Sequence, residues 1–538
     1  MTEIYDLAVV GSGFAGTLLA MIARRLGRSV ILIEKGQHPR FAIGESSTPL
    51  SNLLLEELAQ RYDLAALKPL TKWGSWQKAH PELACGLKRG FTFYHHDLHS
   101  PETQRSSDTE LLVAASPHGE IADTHWYRAD FDEFFVHEAQ KLGVPFVDQV
   151  SLEKFNEVDD LVHLRGRRLG RDVTYRTRFV VDATGPSGFL HRVLCLGNLG
   201  LPEYPKTQAL YSHFSHVRRS PTYNKNAANQ IPPYPPEQAA IHHLFDGGWI
   251  WVLHFNNGIT SAGVAATDHA AERFGLSHGE AAWHRLLANI PQLASQFAAS
   301  KPVQPFSYTP RLSFRSSAIA GDRWAMLPSA AGFVDPLLST GLPLTLLGVT
   351  RLGEILEHRW PQPELSANLA AYAKKTEDEL LATSRLVAAL YANLHNFPVF
   401  RSLALLYFAA ASFAETARRL NRPDLAQSFL LHDRPGFGEA SKRLLARAAS
   451  GIAQIDAAAF ATEVRRMIQP IDVAGLCKDP SPAWYPVRAE DLIQGAGKLG
   501  ATEAEIGRLL ERSGFHEPDR SSAERRSAKP RALGGIHI

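Results

Sequence analysis

Apolar and polar positions alternate in a telling order along the first fifty residues. A largely apolar run fills 4–10, the stretch Gly11-Ser12-Gly13-Phe14-Ala15-Gly16 follows it, and helical spacing continues over about 17–25. A second apolar run over 29–33 ends at Glu34. Strand, glycine turn, helix, strand is the order of a dinucleotide-binding unit, and each part has a mechanical reason. Gly11 permits the tight turn, Gly13 lets backbone approach a pyrophosphate, and Gly16 lets helix and strand pack closely. The helix N-terminus offers free N–H groups to phosphate. Glu34, eighteen residues after Gly16, is spaced to accept hydrogen bonds from a ribose diol.

Farther along, the period changes several times. A short strand is expected at 110–116, a helix at 125–136, and an apolar strand at 179–182 runs into the small-residue turn Ala183-Thr184-Gly185. From 206 to 316 the pattern becomes short β-type runs (208–217, 249–255, 261–266), broken by Pro and Gly. Residues 218–238, rich in Pro, Asn and Tyr, read as a surface excursion. Beyond Gly353 the chain is mostly amphipathic helix. The fold class is α/β, with a discontinuous dinucleotide-binding, Rossmann-like domain over 1–205 and 317–352. An antiparallel β substrate domain is expected over 206–316, a helical region over 353–515, and a disordered polar tail over 516–538.

Composition changes this picture little. The 538 residues carry a formal charge of +2, which gives no reason to invoke nucleic acid or a membrane surface. Three dispersed cysteines form no CxxC pair, so no metal site is expected and a reducing cytoplasm fits. The adjacent pairs His95-His96 and His242-His243 point to opposite faces of a strand and are poorly disposed to chelate one ion. The richest helical stretch, 402–413, is too short to cross a bilayer, so no membrane span is expected.

Three further segments favour FAD over NAD. They are Arg40 followed by Gly44-Glu45-Ser46-Ser47-Thr48-Pro49, the Asp182-Ala183-Thr184-Gly185 turn, and Gly321-Asp322 followed by Asp335-Pro336-Leu337-Leu338-Ser339-Thr340-Gly341. In the last, a strand leads to Asp322, suited to a ribityl hydroxyl, and then to a helix start that would stabilise an anionic reduced flavin.

With these in place the chain resembles the flavin-dependent halogenases, on the para-hydroxybenzoate hydroxylase type of scaffold with a GR2-type FAD domain. The resemblance runs nearly the whole length and rests also on Gly86-Leu87-Lys88-Arg89-Gly90 and Gly248-Trp249-Ile250-Trp251. It implies a cofactor set of Gly11, Gly13, Phe14, Ala15, Gly16, Glu34, Lys35, Arg40, Glu45, Ser46, Ser47, Arg128, Asp182, Gly185, Asp322, Pro336, Gly341 and Leu342. Thr340 and Gly341 would hold halide (chloride or bromide), and Trp249, Trp251 and His254 would line a tunnel or the substrate. Lys88 falls where the family has its catalytic lysine. There the flavin C4a-hydroperoxide yields hypohalous acid, which the lysine activates. The implied partners are O2, a separate reductase supplying FADH2, and an electron-rich phenol or pyrrole, free or carrier-bound.

Two departures qualify the resemblance. Leu253-His254 replaces the family's Ile-Pro, and Leu338 stands where tryptophan halogenases have a glutamate. The first keeps a hydroxylating monooxygenase open as the alternative, and the second disfavours a free indole. A flavin reductase and a non-catalytic flavoprotein that matures a partner are the remaining readings.

Overall fold

Five parallel strands form the centre of the eight-stranded sheet that carries the N-terminal loop. In the computed structural model, which describes residues 3–99, 107–186, 188–219, 231–361, 364–450 and 455–516, β1 is Ile4–Val10, followed by α1 (Phe14–Arg25) and β2 (Val30–Ile33). The tail beyond 516 and most of the 218–238 excursion lie outside the described residues. Ten of the twelve residues of α1 are buried, because helices as well as the sheet cover it.

Next come α2 (Pro49–Arg61), β3 (Cys85–Lys88), β4 (Gly90–His95), β5 (Glu110–Ala114), β6 (Asp123–Trp126) and α3 (Arg128–Lys141). The helix expected from 125 begins only at Arg128. Thr124-His125-Trp126 has β-forming side chains and pairs antiparallel with β3 instead. Thr48 caps α2: its hydroxyl accepts from the Ser51 amide, with Pro49 in the first turn.

Strand β7 (Arg171–Asp182) lies parallel to β1 on one side and to β12 (Trp324–Met326) on the other. Between them in sequence, β8 (Thr207–Ser215), β9 (Ala240–Phe245), β10 (Gly248–His254) and β11 (Ile259–Thr267) form the centre of a nine-stranded sheet. That sheet reaches outside 206–316: β4 joins β9 in parallel, β5 follows, and Trp484–Tyr485 (β13) closes the edge. Covering β9 in this way removes an open edge of buried strands. Period two splits the sheet's side chains. Ile250 and Val252 pack with Trp283 and Phe297 in one cluster, while Trp249, Trp251, Phe91 and Phe93 join the main core.

The C-terminal helices α4 (Gly341–His358), α5 (Leu365–Ala392), α6 (Phe397–Arg419) and α7 (Glu503–Ser513) pack against both sheets. Helix α6 extends well past the 402–413 stretch. By length and apolarity it could cross a bilayer, but 78% of its most apolar window is buried within the protein. Its apolar faces are satisfied by this chain's own core, as in an interior helix.

Candidate functional site

The glycine loop sits at the carboxyl end of β1, where open parallel sheets bind ligands. Gly11 has φ +103°, and a Cβ there would meet the Ala183 carbonyl oxygen at 2.6 Å. A Cβ on Gly16 would lie 2.1 Å from the Gly11 oxygen. Gly13 differs: the nearest atoms to its added Cβ are the side-chain ends of Arg128 and Arg40, at 3.4 and 3.6 Å. Two of these glycines serve the chain's own packing, and the third faces an open cleft.

That cleft measures about 450 Å³. It gathers Gly13, Phe14, Ala15, Gly16, Arg40, Glu45, Ser46, Arg128 and Gly185 at one end. Pro336, Thr340, Gly341 and Leu342, with Trp249 and Trp251, line it at the other. Arg128 forms a buried ion pair with Asp132 at 2.7 Å, and Asp132 also accepts from the Phe14 amide. Glu34 ends β2 beside the loop, accepting from the Ser12 amide at 2.8 Å and the Gly36 amide at 2.9 Å. Burial raises its pKa, but Arg40 and those amides outweigh this and hold the carboxyl below its ordinary value. The Arg40 Nε and the Ser46 hydroxyl are buried without a hydrogen-bond partner among the described residues. Buried polar atoms of this kind, two cationic side chains and a helix N-terminus fit a pyrophosphate-bearing cofactor.

Of the expected cofactor residues, Gly11 and Glu34 stand beside the cleft without lining it, and four more fall elsewhere. Asp322 is exposed in the turn before β12, at that strand's amino end. The carboxyl end of β12 delivers Pro328 and Ser329 to the cleft instead. The rule that ligands bind beyond strand carboxyl ends would have favoured Ser329, had the strand been placed correctly. Asp182 is fully buried, and its carboxylate is engaged by the Thr184 amide and hydroxyl and by the Leu190 amide. Lys35 is exposed and does not line the cleft. Ser47 lies behind it, its hydroxyl donating to the Thr124 oxygen at 2.7 Å.

Trp249 and Trp251 share the cleft face of β10, with Leu253 next along it. Trp249 donates to the Tyr391 hydroxyl at 3.0 Å, and Tyr391 and Tyr204 each donate to Asp335 at 2.8 Å. Burial lifts the Asp335 carboxyl to about 6, against the Leu337 amide and these donors. Gly263, opposite Trp251, leaves room for the indole: a Cβ there would lie 2.4 Å from it. His254 does not line the cleft. Being one residue out of step, it projects from the other face of β10, where Nδ1 meets the Thr260 hydroxyl at 3.0 Å. Burial, then Arg219, lowers its pKa to about 3, so the ring is neutral.

Lys88 is completely buried at the end of β3. Its Nζ donates to the Ser47 carbonyl and sits 3.9 Å above the Phe91 ring centroid. Ser46 lines the cleft, whereas Thr48 lines a second cavity of about 180 Å³ on the far side. Lys88 therefore stands in the wall between the two. The wall continues as a stack: His242, lining the cleft, lies 5.2 Å from Trp249 and 5.8 Å from Phe91, which lines the cavity. Burial pulls the Lys88 ammonium down to about 7, with Asp123 opposing. Burial and then Lys88 also lower His242, to about 3.

The second cavity was not foreseen from the sequence. Phe91, Tyr407 and Phe408 supply aromatic walls, Asp123 a carboxyl, and residues 474–515, including Leu510 and Phe515, the outer wall. It assembles segments hundreds of residues apart, and no local pattern announces such a meeting.

The profile of the FAD dependent oxidoreductase (DAO) family matches residues 6–312, more than half of the chain. The chain belongs to the FAD-dependent oxidoreductase family. This oxidoreductase is 28% identical over 383 residues to the monodechloroaminopyrrolnitrin halogenase PrnC of Pseudomonas fluorescens, covering 70% of this chain and 66% of that one. It is also 28% identical over 431 residues to the tetracycline 7-halogenase of Kitasatospora aureofaciens, covering 78% and 75%. In fold it is similar to the crystal structure of the halogenase PltM in complex with phloroglucinol and FAD. The TM-score is 0.77 at 23% identity, covering 88% of this oxidoreductase and 98% of PltM. The oxidoreductase is an enzyme whose cofactor is FAD.

Proposed function

We propose that this FAD-dependent oxidoreductase halogenates a small electron-rich aromatic, drawing FADH2 from a separate reductase and using Lys88 to activate hypohalous acid. The observation that carries the reading is a fully buried lysine in the wall between a flavin-sized cleft and a second, largely apolar cavity. The halogenase names of its relatives support it. The chemistry FAD supplies when bound is two-electron activation of O2 toward halide. Arg40 and Arg128 would hold the pyrophosphate, and Glu34 the ribose. The amides at Thr340 and Gly341, opening α4, would bind halide at a positive helix end. The stack of His242 and Trp249 lines the cleft, where it would stand between the flavin and a substrate in the second cavity. A buried amine of lowered pKa exchanges its proton readily near neutrality, as activation of hypohalous acid requires.

The cavity accommodates one substituted ring: an apolar cavity of about 150 Å³ admits benzene, and this one, of about 180 Å³, is partly open, so a larger substrate would extend out of it. A phenol or pyrrole is favoured, and a carrier-bound ring remains within the reading. The test supplies FAD, a flavin reductase, NADH, O2 and bromide or chloride with resorcinol, phloroglucinol, pyrrole-2-carboxylate and tetracycline. Halide-dependent mass gain on the single-ring compounds is expected. Oxygenated products indifferent to halide would replace the reading with hydroxylation.

A further inference from the structure

We propose that Asp123 is the proton acceptor for the aromatic ring in the cavity beside Lys88, an inference that rests on the halogenase reading above. Asp123 and Lys88 stand directly opposite each other in the antiparallel pair of β3 and β6, so their side chains leave the same face. Asp123 is 6% exposed and lines the cavity. Its Oδ1 accepts from the Asn52 amide at 2.8 Å. Its Oδ2 is buried and has no hydrogen-bond partner among the described residues. A buried carboxylate oxygen left unpaired is costly, and the residue that carries it lines the cavity where a substrate would sit. The groups that bear on it are Lys88 from β3, Asn52 from α2, and Tyr407, Glu415 and Arg419 from α6. Burial lifts the carboxyl to about 7, with Lys88 opposing, so it is poised to gain and lose a proton near neutrality.

The step balances within this pair. The ring carbon bonds to halogen as the halogen–oxygen bond of hypohalous acid breaks. The Lys88 ammonium gives a proton to the departing hydroxide, making water. The ring C–H bond then breaks, its electron pair restores the aromatic system, and the proton goes to the Asp123 carboxylate. Return of that proton to the Lys88 amine, relayed by water because the two side chains share no ion pair, resets the pair. The net change is aromatic plus hypohalous acid to haloaromatic plus water.

The experiment compares wild type, Asp123→Asn and Asp123→Ala, with reductase, NADH, FAD and bromide, on resorcinol and ring-deuterated resorcinol. Hypobromous acid is trapped separately with monochlorodimedone. Asp123→Asn should brominate resorcinol about 100-fold more slowly, with unchanged flavin occupancy and hypobromous acid output. A ring-deuterium isotope effect should emerge as proton loss becomes limiting. Asp123→Ala, which leaves room for a small carboxylate and guards against misfolding of the first variant, should recover with added formate by roughly tenfold. A merely structural carboxyl would produce neither the isotope effect nor the rescue. Bromination by either variant within about threefold of wild type, or a loss without isotope effect or rescue, overturns the proposal. Hypobromous acid made by wild type with resorcinol untouched overturns the proposal alone. No bromide-dependent product of any kind from wild type overturns the halogenase reading itself.

Discussion

At the scale of single residues, the site depends on a few groups held away from their ordinary charge states. Lys88→Ala should lower halogenated product by roughly 10²–10⁴-fold, the range for losing a proton-transferring side chain, while flavin absorbance per protein stays at the wild-type level. Asp335 makes a separate prediction about pH. Its folded-state pKa is raised to about 6, so the folded state binds the extra proton more tightly than the unfolded chain does. Stability from this group is then fully present below the unfolded carboxyl value and is lost as pH rises toward 6. The cost at pH 7 is about 2–3 kcal/mol. Unfolding free energies of wild type and Asp335→Asn, measured at matched flavin content, should therefore diverge between pH 4 and 7, with wild type losing ground. Lys88 was legible in the sequence through the family resemblance of Gly86-Leu87-Lys88-Arg89-Gly90, which implies a catalytic lysine there. Asp335 was legible only as part of a motif. Its hold on Trp249 passes through Tyr391 on a distant helix, and no sequence spacing encodes that contact.

At the scale of elements, the glycine loop separates two requirements that a motif merges. Gly11→Ala should destabilise the protein even without flavin, by about 1–3 kcal/mol, because φ +103° and the Ala183 carbonyl both oppose a side chain. Gly13→Ala should leave the flavin-free protein's melting temperature near wild type and weaken FAD binding instead, since its added Cβ meets only side-chain atoms, of Arg128, Arg40 and Asp132, none nearer than 3.4 Å. Equilibrium unfolding and flavin titration of the two variants read these effects independently. The strand–turn–helix order was plain in the sequence because each part has its own periodicity. The hairpin ahead of β12 was not. Gly321-Asp322 looks like a strand end delivering an acid to the flavin, yet it forms the turn that begins the strand. Two residues of antiparallel pairing reversed the reading. His254 falls off the cleft for a related reason, because successive residues at the end of β10 change face, and it sits there as a buried histidine bonded to Thr260.

At the scale of the whole molecule, two cavities meet at one buried lysine, and the C-terminal segment completes the second of them. Sequence periodicity revealed the parallel sheet, the β-rich middle and the helical C-terminus. It could not reveal that β4, β5 and β13 extend the middle sheet, or that residues near 510 face Phe91 across a cavity. Those meetings depend on tertiary packing between segments far apart in the chain. Leu510→Phe should narrow the cavity and raise KM for a single-ring substrate about tenfold, equivalent to about 1.4 kcal/mol of binding, without changing flavin occupancy. The central claim is that flavin chemistry serves halide in the cleft and that Lys88 acts only beyond the wall. Its most direct test is stopped-flow absorbance of the FADH2-loaded protein mixed with O2, with and without bromide, for wild type and Lys88→Ala. The account predicts that bromide speeds the return of bound flavin to its oxidised spectrum, saturably and alike in both proteins. Reoxidation indifferent to bromide in wild type would contradict it.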